Sequence, residues 1–467
     1  PVCRRPRTDQ GLVVTQATTA TETSPAAQDE TEVDFDVIVI GAGVAGTVTA
    51  YLLAQQGHSA LLIERGETPG SKNLSGGVLY THSLRQVFPD LLDEAPIERR
   101  ITRNYINFLN ADSSVGIDYR DQRLADPVNA VTVLRAKFDA WLAEKAEEAG
   151  VFVMPGVRVD RVLTAEIDEE APGIPRVIGV QAGDDELRAH VVVAADGVNS
   201  FIAQEVGLRQ KDPLNHLAVG VKAVVTLPRE VIEDRFALTG DEGAAWAVVG
   251  DCTEGIGGGG FMYTNAESIS VGVVLRLDDL VAKGAVATEV FDHFLENQFI
   301  APYLKDGELS EYGCHLVAEG GLDMMQEYVT DGMLVVGDAT GLTLNTGFTV
   351  RGMDLAVGSA VAAAEAIHEA LEAKNTSSAG LAAYREKLFA GFTGKDMQTY
   401  AKAPHFLERP RMYKEYGELI ADVLYDVFNH DLTPRRHLQE IVRARFKASP
   451  LKLRDIVGDG YAGVRAL

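Results

Sequence analysis

The chain has 467 residues, 46% of them hydrophobic, enough to bury a large core in two or three domains. Its 68 Asp and Glu outweigh 43 Lys and Arg for a formal charge of -25, which argues against general affinity for polyanions, nucleic acid included. No apolar run approaches the roughly 20 residues that span a bilayer; the nearest, Ala356 to Ile367, is interrupted by Ser359 and Glu365, so any membrane contact is expected to be peripheral.

Residues 1 to about 33 are rich in Thr, Ala, Gln, Glu and Ser and almost free of aromatics. They read as a disordered tail, without the apolar core of a secretory signal, and are left out of the fold. Next comes Val37-Ile38-Val39-Ile40, an apolar run of the kind found in parallel strands buried on both faces. Gly41, Gly43 and Gly46 follow in Gly-x-Gly-x-x-Gly spacing. The first permits a tight turn, the second lets backbone approach a pyrophosphate, and the third lets helix pack on strand. A helix from Thr47 to Gln56 stops at Gly57, and a second apolar strand, Ala60 to Ile63, ends in Glu64. There a carboxylate can accept adenosine ribose hydroxyls, and it disfavours a 2′-phosphate. Strand, turn, helix, strand and acid in this order specify dinucleotide binding, with the pyrophosphate at the helix N-terminus.

Ser71 to Gly77 form a polar, glycine-rich loop able to run alongside an extended cofactor. A helix is expected over 84–96 and an alternating strand over 104–119. A helix from Val133 to Gly150 places Arg135 near its start, where a cation gains nothing from the dipole and so hints at an anionic ligand. Strands are expected at 151–154 and 157–163. Two later segments, His190 to Ser200 and Met333 to Ala339, each run a buried strand into a small-residue turn with Asp196 or Asp338 at its carboxyl end, where open α/β sheets bind ligands. A long helix over 352–373 follows the second.

Taken together, Gly41 to Gly46, Asp196-Gly197 and Gly337-Asp338 resemble the motifs of glutathione-reductase-like flavoproteins of the aromatic hydroxylase and geranylgeranyl reductase type. Within that superfamily the chain resembles electron transfer flavoprotein:quinone oxidoreductases, particularly the FixC family. Four stretches carry the likeness: Gly70 to Gly77, Gly258 to Asn265, Tyr312 to His315 with Glu319-Gly320-Gly321, and Asn345 to Asp354. The resemblance implies an α/β fold: a Rossmann-like FAD-binding domain (34–82, 130–200 and 322–373), an antiparallel-sheet substrate domain (83–129 and 201–321) and a helical carboxy-terminal region (374–467). It implies one noncovalent FAD held by Gly41, Ala42, Gly43, Gly46, Glu64, Arg65, Lys72, Asn73, Gly76, Gly77, Arg135, Asp196, Gly197, Gly337, Asp338, Gly347, Arg351 and Gly352. A quinone would lie against Gly258, Gly259 and Tyr263, the glycines giving a flat ring unobstructed backbone; a β-bulge or strand bend would demand the same glycines.

Only Cys3, Cys252 and Cys314 are present, far apart. They supply neither a disulfide framework nor a four-cysteine iron–sulfur site, and no metal site is assigned. The compartment is expected to be reducing, with Cys252 and Cys314 as inert buried thiols. Mitochondrial quinone oxidoreductases carry a carboxy-terminal ferredoxin domain, whereas FixC proteins pair with a separate small ferredoxin-like subunit; the missing cysteines favour the FixC type.

The implied function is transfer of electrons from an electron transfer flavoprotein, with its α and β subunits, to a membrane quinone, at the cytoplasmic side of the membrane. One nucleotide fingerprint makes NADH an unexpected direct donor. A geranylgeranyl-reductase-like saturase, a flavin monooxygenase and a flavin-bearing scaffold subunit remain alternatives. His315 is a candidate proton relay or a hydrogen-bonded structural residue, and no catalytic residue is assigned. The locally basic stretch from Lys402 to Arg454, with Phe406, Tyr413, Tyr416 and Phe428 interleaved, is either a solvated helical surface or a docking face for an acidic partner or lipid headgroups.

Overall fold

The computed structural model describes residues 33–73, 76–165 and 174–467. The amino-terminal tail, with its expected disorder and Cys3, lies outside the described residues, as do Leu74 and Ser75 of the polar loop.

The first sheet is built on the strand Phe35–Ile40, whose Val37, Ile38, Val39 and Ile40 are all buried. It pairs in parallel with Ala60–Glu64 on one side and Asp185–Ala194 on the other, and Phe152–Pro155 and Met333–Val335 continue the parallel order outward. Side-chain alternation divides the run between two cores. Val37 and Val39 face the helices Val44–Gln55, Arg135–Glu148 and Met353–Glu372, while Ile38 and Ile40 face Val162, Val180 and Ile202. The helices Val44–Gln55 and Met353–Glu372 pack together, with small buried residues such as Ala50, Ala360 and Ala363 available for close approach.

Among the described residues the second sheet has nine strands. In spatial order they are Glu308–Ala318, Leu217–Thr226, Ser268–Arg276, Gly258–Thr264, Glu242–Gly250, Ile97–Leu109, Ala130–Leu134 and Gly76–Tyr80, with Ser114–Arg120 paired to Ile97–Leu109. The face remote from the first sheet is packed by Phe236, Phe291 and Phe294 against Trp246, Val248, Met262 and Val271.

Several expectations are corrected. The segments 76–80 and 130–134, grouped above with the FAD-binding domain, are hydrogen-bonded strands of the second sheet. The fully buried strand Ala130–Leu134 needs partners on both edges, and here the chain does not return to the first sheet until after Leu134, where the helix Arg135–Glu148 begins. That helix therefore starts two residues later than expected. The second sheet is not wholly antiparallel, because Ile97–Leu109 and Glu242–Gly250 run parallel; the long intervening passage through the first domain provides the crossover such a pair requires. The helix expected over 84–96 is two short ones, Thr81–Val87 and Leu91–Glu94, separated at Pro89. The strand expected over 104–119 turns at Asn110, whose N–H bonds the Ser113 carbonyl, into two antiparallel strands. Of 157–163 only Arg161–Thr164 is strand. The region after 374 is helical, ending in Glu415–Phe428, Leu438–Ala448 and Leu453–Ala466.

A two-pole cavity as the candidate functional site

A cavity of about 1480 Å³ is lined by the carboxyl ends of the first sheet's strands and by one face of the second sheet. That exceeds the roughly 300–1,000 Å³ of an ordinary ligand pocket, leaving room for an extended dinucleotide and a second molecule.

At its nucleotide pole the three fingerprint glycines separate by physical role. Gly41 has φ +103°, and a Cβ there would stand 2.4 Å from the Ala195 carbonyl oxygen; one on Gly46 would stand 2.0 Å from the Gly41 oxygen. Packing within the protein already requires glycine at both. At Gly43 a Cβ would meet only Arg135 Nη2, at 3.8 Å, so bareness there serves whatever occupies the cavity. The helix Val44–Gln55 has no side-chain cap and no acid in its first turn, which leaves free N–H groups for an anion. Glu64 lines the cavity with Arg65, its carboxylate aimed by the N–H groups of Ala42 at 3.0 Å and Gly66 at 2.7 Å.

Lys72, Asn73, Gly76 and Gly77 line the adjoining wall, together with Arg135. Fully buried Asp139 takes Arg135 Nε and Nη2, both at 2.7 Å, and Asn73 Nδ2 at 2.8 Å, so one carboxylate sets both cavity-lining groups. The loop closes over this helix at Gly70, where a Cβ would lie 2.5 Å from the Arg135 oxygen.

Asp196, Gly197, Asp338, Gly347 and Gly352 line the middle of the cavity. Asp196 accepts the Ile202 N–H with Oδ2, while its Oδ1 is buried without a partner, and burial pushes its carboxyl upward. Burial also raises the carboxyl of Asp338, opposed by the charges of Arg135, His315, Arg209 and Lys222. Buried Arg209 fixes this turn, donating to the carbonyls of Ala339 at 2.6 Å and Asp338 at 3.3 Å while Asp212 neutralises it. Four residues expected to hold the cofactor do not line the cavity. Ala42 contributes its N–H to Glu64, Gly46 packs on Gly41, Gly337 bonds Ser359 Oγ at 3.0 Å, and Arg351 is held by Asp354 and Asp396 above the Tyr80 ring. These four support the walls.

The second pole is the sheet face carrying Ala245, Ala247, Phe261, Tyr263 and Val274, with Phe261 and Tyr263 stacked at 4.9 Å. Gly258 and Gly259 also line it. Their glycine character also has a cause within the sheet: a Cβ on Gly258 would fall 1.9 Å from the Val274 oxygen, and one on Gly259 would fall 2.8 Å from the Val248 oxygen. His315 lines the cavity, its Nδ1 donating to the Leu316 carbonyl at 2.6 Å. Further along lie Glu319, Arg276, Asn345 and Tyr413. Burial pushes the Glu319 carboxyl up to about 7 although Asn345 Nδ2 donates to it at 3.0 Å, and Arg276 Nη1 is buried without a partner.

Asp139, Arg209, Lys222, Arg276 and Glu319 were not singled out as site residues from the sequence. Two had a faint signal, a charge inside an otherwise apolar pattern: Lys222 within Val-Lys-Ala-Val, and Asp139 beside Phe138 and Leu142. Cys252 is buried with its thiol pushed up to about 12, as expected of an inert thiol, but Cys314 is exposed, on the outermost strand of the sheet.

Comparison with known proteins decides the family. Residues 34–248 match an FAD binding domain, and residues 403–467 match the ETF-QO/FixC family C-terminal domain. The chain is 42% identical over 434 residues to a probable electron transfer flavoprotein-quinone oxidoreductase, YdiS, of Escherichia coli K12, covering 93% of this chain and 99% of the relative. It is 41% identical over 435 residues to Protein FixC of Salmonella typhi, with the same coverage. The chain belongs to the FixC/electron transfer flavoprotein-quinone oxidoreductase family. It is an FAD-dependent oxidoreductase, and its FAD-binding domain contributes the nucleotide pole. Among solved structures it is similar to a geranylgeranyl bacteriochlorophyll reductase-like protein of Thermoplasma acidophilum (TM-score 0.67, 20% identity, 91% of this chain and 98% of that one). It is also similar to the flavin-dependent brominase Bmp2 (TM-score 0.58, 18% identity, 88% and 93%). At these identities the likeness is one of fold.

Proposed function

We propose that this protein passes electrons from an electron transfer flavoprotein, by way of a small ferredoxin-like subunit, to a membrane quinone, working as the FixC-type subunit of a larger complex. The observation that carries this reading is the continuity of the cavity from the bare helix N-terminus at Gly43 to the aromatic face at Phe261 and Tyr263. A cofactor and an apolar acceptor can be held in one enclosure, shielded from water.

In this reading Gly41, Gly43 and the free N–H groups of Val44 and Ala45 hold the FAD pyrophosphate, Glu64 accepts the adenosine ribose, and Asp196 and Asp338 engage the far half of the molecule. The unpartnered Asp196 Oδ1 fits such a donor-bearing ligand. When bound, the flavin supplies exchange between one-electron protein donors and a two-electron acceptor. The chain's own part is to orient both molecules, keep water out, and deliver two protons to the quinone.

A route from lipid is supported by the cavity rim. Ile117 and Tyr119 line it and are 59% and 48% exposed, and the adjoining helix Glu415–Phe428 presents Tyr425 and Phe428 at 62% and 75% exposure. No helix among the described residues is long and apolar enough to cross a membrane, so we assign contact from the cytoplasmic side through these apolar side chains. Headgroup attraction by the basic segment is a weaker basis than its composition suggests. Arg409 and Arg411 are spent on buried Asp459, Arg436 and Arg445 pair with Asp426, and Phe406 and Tyr413 point inward.

The test is reconstitution. Reduced electron transfer flavoprotein, with the ferredoxin-like partner present, should bleach this protein's flavin and then reduce a short-chain quinone, whereas NADH alone should do neither. Robust turnover of NADH and quinone by the isolated chain would refute the assignment.

A further inference from the structure

Lys222 is a charged residue that no role described so far requires. The strand Leu217–Thr226 places it on the cavity face, in register with Gly272 on one neighbour and Gly313 on the other, so no side chain flanks it across either pairing. A Cβ on Gly272 would come within 2.5 Å of the Phe261 ring. Gly272 thus lets Phe261 lie across it, and the Lys222 ammonium stands 5.8 Å from that ring's centroid. Among the described residues the ammonium has no hydrogen bond and no ion pair. Burial and the neighbouring Arg135 guanidinium push it down to about 8, with only Asp338 opposing them. Lys222 is half-buried, and a cation whose neighbours are a ring face and a second cation is poorly compensated; a bound group able to receive it would supply what the protein does not.

The position says which group. The pyrophosphate belongs at Gly43 beside Arg135, and Asp338 engages the chain beyond it; Lys222 interacts electrostatically with both Arg135 and Asp338 from the opposite sheet. A dinucleotide running from Gly43 past Asp338 would have Lys222 and Phe261 to hold its ring system. An oxidised flavin is neutral there. After two electrons from a protein donor and one proton it carries one negative charge.

We propose that Lys222 is the counter-ion of the reduced flavin, raising the reduction potential by stabilising that charge. A quinone is uncharged before and after full reduction and gives a cation at this position no comparable purpose. The other ionisable groups facing this space are Arg135, Asp338, His315 and Tyr263. Of these, Arg135 is already paired with Asp139, and Asp338 feels the charges of Arg135, His315 and Arg209 besides that of Lys222.

The test uses full-length, FAD-loaded protein and its Lys222→Met and Lys222→Arg variants, with flavin content measured by absorbance. Flavin reduction is followed electrochemically, and sulfite serves as a probe because its adduct puts a negative charge on the flavin ring. Lys222→Met is expected to keep stoichiometric FAD, to show a lower potential and to bind sulfite roughly tenfold more weakly, on the order of one unit of charge interaction in such a site; Lys222→Arg should stay near the parent. The parent alone offers a second reading. Below about pH 8 its flavin should take up one proton per two electrons, and above that two, since Lys222 then gains a proton as the flavin becomes negative. Unchanged potential and sulfite affinity in Lys222→Met overturn the proposal, including the case where only the quinone KM moves. If that variant fails to load FAD, a parent that takes up one proton across the whole range overturns it equally. Neither readout involves a quinone, so this inference can fail while the reading of the acceptor stands.

Discussion

Asp139 receives two N–H groups of Arg135, each at 2.7 Å, from one turn further along the same helix. The pairing explains how a cation is tolerated at a helix N-terminus, where the dipole opposes it: the counter-charge is built into the next turn and is completely buried. It also links two parts of the cavity wall, because Asn73 shares the same carboxylate. Asp139→Ala should therefore strand Arg135 and release the loop together. We expect a loss of about 3 kcal/mol in chemical unfolding, accompanied by loss of FAD. A variant with parental stability and full flavin content would show that the wall does not depend on this pair.

Position 43 and position 46 should fail differently when glycine is replaced. A side chain at 43 projects into the cavity past Arg135 Nη2, whereas one at 46 collides with the Gly41 backbone at 2.0 Å. Gly43→Val is expected to give a folded, colourless apoprotein with far-ultraviolet circular dichroism like the parent's. Gly46→Val is expected to give insoluble or unfolded protein. Stoichiometric flavin in the Gly43 variant would count against pyrophosphate binding at this turn.

Glu319 should impose a pH dependence on stability. Its carboxyl lies above its ordinary value of 4.5, at about 7, because burial penalises the charged form. A raised acid is most favourable while protonated in both states, so the contribution is fully present below about pH 4.5 and is lost as pH rises through about 7. The full span is worth at most about 3 kcal/mol, reduced by the group's partial contact with solvent. Glu319→Gln should flatten this part of the curve, measured by urea midpoints from pH 4.5 to 8. The same slope in the variant would assign the dependence to other groups.

Membrane attachment should resist salt. The arginines that make the carboxy-terminal region basic are largely paired within the protein, while Tyr425 and Phe428 are the exposed side chains beside the cavity rim. Screening weakens attraction between exposed charges and leaves apolar insertion intact. Vesicle flotation of the parent should persist at molar salt, and a Tyr425→Asp, Phe428→Asp pair should abolish it while FAD content stays unchanged. Binding lost on adding salt would restore headgroup attraction as the cause.

The nucleotide pole was legible in the amino-acid order because its chemistry is local. A buried strand, a turn that tolerates only glycine, a helix and a terminal acid span Phe35 to Glu64, and each residue type answers to backbone geometry within a few positions. The strand-end residues Asp196 and Asp338 were legible for the same reason, since both close apolar runs. The substrate pole was not. Lys222, Arg276 and Glu319 stand on separate strands or at their ends, and only the pairing of Leu217–Thr226 with both neighbours brings them to one face. Which glycines serve a ligand and which serve packing was also undecided by spacing. Gly43 faces open space while Gly46, Gly258 and Gly259 meet protein backbone, and that depends on what the fold brings opposite them. Local sequence determined the turn to which we assign a dinucleotide. Long-range strand pairing decided which charges share its cavity, because a β-sheet assembles its surface from residues that have no proximity along the chain.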